Sequence, residues 1–225
     1  MTSPLTAIFP PSNLSVLSGS ANNDTKTLFT MHALASFLSS TPTASALWID
    51  TTSSFPVFLF RDILSHYAVP LDRMALVRTF DVTGLIDSVR DLNGTYSAVV
   101  VDSITAPFAR EMAADQVKGH AKMAYCLSNL RTFTHSYHAT TILINSSVEA
   151  SKSDTVYSQF SLTKPSLGPT FLYYVDFCSL VTATSPHQFV FEIIADRTRA
   201  TEGHLLNFNI LRDFSIEFPD HSNTF

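Results

Sequence analysis

Apolar residues along this chain fall into short runs that alternate between two periods. Leu14 to Leu17 reads as a short strand buried on both faces, followed by a small, polar loop through Thr25. From Lys26 to about Ser39, the residues Leu28, Phe29, Met31, Leu34, Ala35 and Leu38 recur at helical spacing, and the cluster from Ser39 to Pro42 supplies a stop. Ala46 to Ile49 predicts a second strand ending at Asp50, Phe58 to Tyr67 a helix that Pro70 breaks, and Met74 to Val77 a third strand. Leu85 to Leu92 reads as the next helix, Asn93-Gly94 as a turn, and Ala98 to Val101 as a central strand ending at Asp102. A long amphipathic segment from about Asp115 to Tyr137 carries Ala121, Ala124, Tyr125, Leu127, Leu130 and Phe133. The strand Thr141 to Ile144, closed by Asn145, follows it.

Strands and helices that alternate in this way predict a parallel sheet covered on both faces. The polar segment Ser146 to Thr163, rich in Ser and Thr, is longer than compact domains use for a plain connection and is read as a functional loop. Beyond Gly168, the runs Leu172 to Thr182, Gln188 to Asp196, Leu205 to Ile210 and Phe214 to Phe218 are β-rich and predict an antiparallel extension of the sheet. The organisation expected is a short lead over 1–12, one core domain over 13–218 and a flexible tail over 219–225, without an internal repeat.

Composition narrows the class of protein. Of 225 residues, 45% are hydrophobic and 15% charged, and the mean hydropathy is +0.16, which is ample material for one buried core. No stretch reaches the roughly 18 to 20 apolar residues of a membrane-spanning helix, and the N-terminus has no charged start before an apolar signal core. A soluble, non-secreted chain with no membrane partner is expected. Cys126 and Cys178 lie in apolar contexts without a CxxC partner and read as reduced core thiols, with no metal site. A net charge of −5 excludes a broadly basic surface, so any nucleic-acid contact has to be a local patch.

The loop after the first strand is where a phosphate-binding loop would lie, because helix N-terminal amides and a lysine together cradle phosphates. The pattern GxxxxGK followed by Ser or Thr needs glycines at Ser20 and Thr25, ahead of Lys26 and Thr27. A β-branched Thr25 loses the positive φ and the close backbone approach that glycine permits; Gly19 offers a glycine one residue away. Alone, Lys26 at a helix start reads as an ordinary surface residue. Asp102, at the end of an apolar strand, is placed like a carboxylate that holds Mg²⁺ through water, or like a residue that begins a turn.

Several segments, in order, resemble the core of the eukaryotic RecA-type recombinases and their paralogues. Leu47-Trp48-Ile49-Asp50-Thr51, with Phe55 shortly after, resembles that family's strand reading aromatic-Ile-Asp-Thr-Glu-Gly and then Phe. Val99 to Ser103 resembles the Walker B strand, with Asp102 as the remnant carboxylate, and Arg110 falls where an arginine enters the first DNA-binding loop. Ile142 to Asn145 resembles the strand ending Thr-Asn-Gln, whose glutamine senses the γ-phosphate and couples it to the second DNA-binding loop. Lys164-Pro165-Ser166-Leu167-Gly168 and the aromatic-rich run through Val175 and Leu180 resemble the segment closing that second loop. The likeness spans nearly all of 13–218.

The resemblance implies an α/β fold with a RecA-like P-loop ATPase core: a mostly parallel central sheet flanked by helices, with a C-terminal antiparallel extension. The departures are as informative as the matches. The P-loop glycines are replaced, Thr52 and Ser53 stand where the water-activating glutamate and its glycine belong, and Ser146 replaces the sensor glutamine beside a retained Asn145. A threonine cannot serve as that general base. The expectation is a degenerate ATPase, not an enzyme, needing no cofactor, with Ser20, Thr25, Lys26, Thr27 and Asp102 as a remnant nucleotide site. It implies a nuclear recombinase paralogue of the short, Shu-complex kind, without the N-terminal helical domain, acting in homologous-recombination repair. Its expected partners are another recombinase paralogue, a SWIM-type zinc protein, the recombinase filament and, as part of a complex, single-stranded DNA. DNA contacts are expected from Arg110, Lys118, His120 and Lys122 near the first loop and from Lys152 and Lys164 flanking the second, with Tyr157 or Phe160 as stacking platforms. Phe9, Phe37, Trp48 and Phe171 are candidate interface anchors, most of them read as core. Two further readings stand beside this one: a nucleotide switch or weak DNA-dependent ATPase that retains Mg-ATP, and a purely structural subunit that contacts only protein.

Overall fold

A computed structural model describes residues 9–19, 23–150, 158, 162–198 and 201–218; Ser20, Lys152, Tyr157 and Phe160 lie outside the described residues, as do 1–8 and 219–225. In chain order the elements are β1 (Leu14–Gly19), α1 (Asn23–Ser40), β2 (Ala46–Asp50), α2 (Val57–His66), a single 3₁₀ turn (Leu71–Arg73), β3 (Met74–Arg78), α3 (Val82–Arg90) and β4 (Ala98–Asp102). There follow α4 (Thr105–Ala114), α5 (Gln116–Ser136), β5 (Thr140–Ile144), β6 (Ser147–Glu149), β7 (Thr163–Pro165), α6 (Gly168–Tyr174), β8 (Phe177–Ser185), β9 (Gln188–Asp196), β10 (Leu205–Ile210) and β11 (Ile216–Glu217).

Among the described residues the main sheet has nine strands, in the order β11-β10-β9-β8-β1-β5-β4-β2-β3. From β8 through β3 each neighbouring pair is parallel, while β9, β10 and β11 extend the sheet antiparallel from β8. The expected parallel sheet with an antiparallel extension is therefore the observed one. Side chains alternate between two apolar layers: Trp48, Val100 and Ile144 join the layer under α1 and α2, while Ile49, Val101 and Leu143 join the layer under α3, α4, α5 and α6. Burial on both faces is why these strands read as continuous apolar runs rather than alternating ones. Cys126 and Cys178 are buried free thiols whose pKa burial pushes up, to about 12 for Cys126, so neither is a reactive thiolate at neutral pH. No helix among the described residues is long and apolar enough to cross a membrane.

Several boundaries differ from the sequence expectation, the first being the start of α1 at Asn23, which makes Thr25 helical where a loop was expected. The residues after Asp102 form the helix α4, which the pattern did not announce; its Pro107 sits in the first turn, where a missing N–H costs nothing. The run expected as strand from Leu172 begins instead with the short helix α6, started by Gly168-Pro169 after the left-handed Leu167, and the strand proper opens at Phe177. Phe171, with high β propensity, is fully buried against α5, so tertiary packing overrides local preference. The helix α3 spans Val82–Arg90 rather than Leu85 to Leu92, because Asp81 caps it by accepting the Gly84 amide at 2.8 Å. In the Phe214 to Phe218 run only Ile216 and Glu217 pair with β10; Phe214 lies in the turn.

The two helices α4 and α5 meet at a single linking residue, Asp115, whose carboxylate accepts the Lys118 amide at 3.0 Å. They fold back on each other closely at Gly119, where an added Cβ would lie 2.9 Å from both the Cα and the backbone nitrogen of Met112. Backbone cannot yield as a side-chain tip does. The variant Gly119→Ala is expected to lower stability by about 1–3 kcal/mol, measured as a fall in the urea midpoint without a change in slope.

Candidate functional site

The C-terminal ends of β1, β2 and β4 and the start of α1 converge on one polar cluster. Lys26 is 1% exposed, and its Nζ donates to the Gly19 carbonyl at 3.2 Å. Gly19 itself tolerates no side chain, since a Cβ would lie 2.6 Å from the Val181 carbonyl oxygen. The next residue, Thr27, donates its hydroxyl to Asp102 Oδ2 at 2.8 Å. The reading of Lys26 as an ordinary surface lysine is thus corrected: the helix start faces inward, toward the sheet edge.

Asp102 stands beside Asp50 in the register of β4 and β2. Burial raises its pKa to about 6, helped by the nearby carboxylates Asp50 and Asp24 and opposed by the Thr27 hydrogen bond and by Lys26. Burial likewise lowers Lys26 to about 8, with the attraction of Asp102 opposing it. Asp50 is occupied in holding the loop after β2: it accepts the Thr52 amide at 3.1 Å, the Thr52 hydroxyl at 3.2 Å and the Phe55 amide at 3.3 Å, and pairs with Arg78 at 3.3 Å.

This cluster forms one end of a cavity of about 570 Å³, within the range of small-molecule sites. Its polar end is lined by Thr25, Lys26, Thr27, Thr52 and Asp102, with Asp24 alongside. The other end is apolar, built from Met31, Leu59, Phe189, Ile210 and Phe214 with the β8–β9 turn residues Pro186 and His187. Phe214 is held there by His32 of α1, whose Nε2 donates to its carbonyl at 2.9 Å. Sequence reasoning found only the polar end. Apart from Met31 and Leu59, the apolar end comes from residues more than 150 positions downstream of Thr27 that only the folded sheet brings to α1.

A second polar cluster surrounds Asn145, which is fully buried. Its Oδ1 accepts the hydroxyls of Thr105 at 2.5 Å and Ser166 at 2.9 Å, and its Nδ2 donates to Ser18 Oγ at 3.2 Å and to the Ser166 carbonyl at 3.3 Å. Ser146 donates its amide to Thr105 Oγ at 2.8 Å. Thr105, Ser166 and Ser18 escaped sequence reading because short hydroxyl side chains carry no spacing signal.

Of the residues expected to meet DNA, Arg110 lies on α4, Lys118, His120 and Lys122 on α5, and Lys164 on β7. Arg110 and Lys118 are exposed on α4 and α5, but Lys122 pairs with Glu111 and His120 donates Nδ1–H to the Gln116 carbonyl at 2.8 Å. These cations are carried on two helices that meet at Asp115. Lys164, half-buried on β7, pairs in register with Val148 of β6. Among the expected interface anchors, Phe9, Trp48 and Phe171 are core residues and Phe37 packs half-buried against the same layer. Large apolar side chains are exposed instead at the β3 edge, at Leu71, Leu76, Val77 and Phe80. Among the described residues no cluster of His, Cys, Asp or Glu is arranged to hold a metal ion.

The strand order, the antiparallel extension and the Lys-Thr pair facing a strand-end aspartate define a RecA-like α/β core. The crystal structure of the RadB recombinase has this fold: it superposes with a TM-score of 0.74, over 98% of this chain and 100% of that one, at 19% sequence identity. No family model matches the chain, and no curated protein matches it.

Lys26 and Asp102 both carry a cost of burial, which sets a sign for the pH dependence of stability. A lysine held near 8 in the fold and at 10.5 when unfolded adds stability above pH 10.5 that is lost as the pH falls through 8. At pH 7 the charged form therefore opposes folding, by roughly 3 kcal/mol. Lys26→Met is expected to be more stable than the parent at pH 7 in urea titrations, with the difference shrinking between pH 8 and pH 10. A loss of stability at pH 7 would show that the lysine is a structural necessity.

Proposed function

We propose that this chain is a recombinase paralogue that no longer turns over ATP and that assists homologous-recombination repair in the nucleus. It does so by pairing with another paralogue and promoting recombinase filament assembly on single-stranded DNA. The observation that carries the reading is Thr52. Hydrolysis needs a base within hydrogen-bond reach of the attacking water, and the loop after β2 turns Thr52 and Ser54 toward the cavity instead. The Thr52 hydroxyl is committed to Asp50 and sits 2.7 Å from Ser54 Oγ. Asp50, the carboxylate nearest in sequence, is buried and holds the loop. The RecA-like fold of a recombinase supports the setting in recombination.

The β3 edge supports the pairing. It is the outer strand of the sheet, bonded to β2 on one side, with Leu76 and Val77 exposed on opposite faces and Phe80 just beyond. An apolar edge of this kind accepts an extended segment of another protein by strand addition, which also prevents aggregation there. Arg110 and Lys118, exposed on the α4–α5 corner, supply cations for a nucleic-acid backbone within the assembled complex. A SWIM-type zinc protein is a further member of such an assembly.

One observation favours the second reading, a nucleotide-binding switch. Lys26, Thr27 and Asp102 keep the donor set that would hold Mg-ATP, the lysine for phosphate and the Thr-Asp pair for the metal, and the cavity beside them is large enough for a nucleotide. When bound, the metal and lysine would neutralise phosphate charge.

Two measurements test the proposal. Purified protein with Mg-ATP, with and without single-stranded DNA, is expected to release no phosphate; turnover that Thr27→Ala abolishes would overturn the non-catalytic reading. In native extracts the chain is expected to copurify with a second paralogue or with the recombinase, and Leu76→Lys combined with Val77→Lys to lose that partner while its melting temperature stays within a few degrees. Copurification of neither would overturn the pairing.

A further inference from the structure

In a nucleotide-driven machine of this shape, a side chain reaching the bound phosphates would have to pull on the hairpin that follows β5. Among the described residues, no side chain of that hairpin lines the cavity. The hairpin's two strands, β6 and β7, pair from Ser147 with Pro165 to Glu149 with Thr163. The pairing continues at both ends, as Ser166 donates its amide to the Ser146 carbonyl at 3.0 Å and Ala150 donates to Leu162 at 2.7 Å. The root of the hairpin is held through Asn145 to two other elements, to β1 by Ser18 and to α4 by Thr105, while Ser166, just past β7, closes the base of the hairpin itself. Ser146, at the position after Asn145, is held through its own backbone, its amide by Thr105 Oγ and its carbonyl by the Ser166 amide. Further along, Ser158 is buried and donates to Glu192 of β9 at 2.5 Å.

Among the described residues, none of Ser18, Thr105, Asn145, Ser146 or Ser166 lines the cavity. A ligand shifts a conformational equilibrium only through contacts that differ between the two states. We infer that the Asn145 cluster sets the pose of the root of the β6–β7 hairpin, and that an occupant of the cavity beside Lys26 does not control it. The hairpin is constitutively formed, and the two sites are energetically independent. For its consequence in DNA binding this rests on the proposed function above: single-stranded DNA would be engaged equally with and without nucleotide.

Amide hydrogen exchange of the full-length protein tests the inference without using DNA. In the nucleotide-free protein the Ala150 and Ser166 amides are expected to exchange on the order of a hundredfold slower than in an unstructured chain, and millimolar Mg-ATP is expected to change them by less than about twofold. Thr105→Val removes both the donor to Asn145 and the acceptor for Ser146, and should speed exchange at Ser166 by on the order of tenfold while the β4 amides keep their protection. Unprotected amides in the free protein, protection gained on adding Mg-ATP, or a Thr105→Val protein with unchanged exchange at Ser166 would each overturn it. Retention of a single-stranded oligonucleotide by the assembled complex, with and without Mg-ATP, is the separating arm. Dependence on nucleotide would overturn the independence of the two sites. Absence of any retention, with the exchange pattern intact, would strike the DNA reading and leave the hairpin inference standing.

Discussion

Burying the charged end of Lys26 is the constraint around which the C-terminal edge of the sheet is arranged. An ammonium taken out of water needs acceptors and a nearby opposite charge, and each is supplied by a different element: the Gly19 carbonyl from the end of β1, and the field of Asp102 from β4. Gly19 in turn has to be glycine because β8 passes so closely. Asp102 needs the Thr27 hydroxyl, and Thr27 is aimed correctly only if α1 is fixed on the sheet. That fixing comes from aromatic packing, with Phe29 stacked on Phe191 at 5.5 Å and tilted on Phe208 at 4.7 Å. The antiparallel extension and the polar cluster are thus parts of one arrangement, since the rings that seat α1 sit on β9 and β10.

The parts of the fold legible in the sequence were those where a single physical cause dominates. Ala98 to Val101 is apolar because both faces of the strand are covered, and it reads as a central strand for that reason. Leu28, Met31 and Leu34 show helical spacing because α1 buries much of its surface. Where tertiary contacts compete with local preference, the reading failed. The aromatic segment from Phe171 to Tyr174 favours strand locally but is helical, and Thr105–Ala114 carries in its first turn Pro107, a residue that reads locally as a helix breaker. Lys26 misled for a related reason. A lysine at a helix start is normally solvated, and nothing in the neighbouring residues reveals that β8 closes over it. The exposed β3 edge was equally invisible, because Leu76 and Val77 look like any buried strand.

For the site, the polar residues were legible only through their resemblance to a motif, while their arrangement was not. Thr27 and Asp102 are 75 residues apart, and only the parallel register of β4 beside β2 and β5 places the carboxylate at the helix start. Much of the apolar end of the cavity has no sequence signature, since Pro186, His187, Ile210 and Phe214 come from turns and strand ends.

The two polar clusters at this edge carry opposite energetic signs. Around Lys26 and Asp102, burial works against the charges. Around Asn145 the carbonyl and amide of the side chain are all engaged, so every bond lowers the energy of one arrangement and raises that of any alternative. Switching needs two packings of nearly equal energy. A side chain long enough to reach a phosphate creates such a pair, because it is satisfied in one way with the ligand and in another without it. Ser146 is too short to do so, and its backbone is already spoken for. A short serine beside a saturated asparagine is therefore part of a lock and not of a switch.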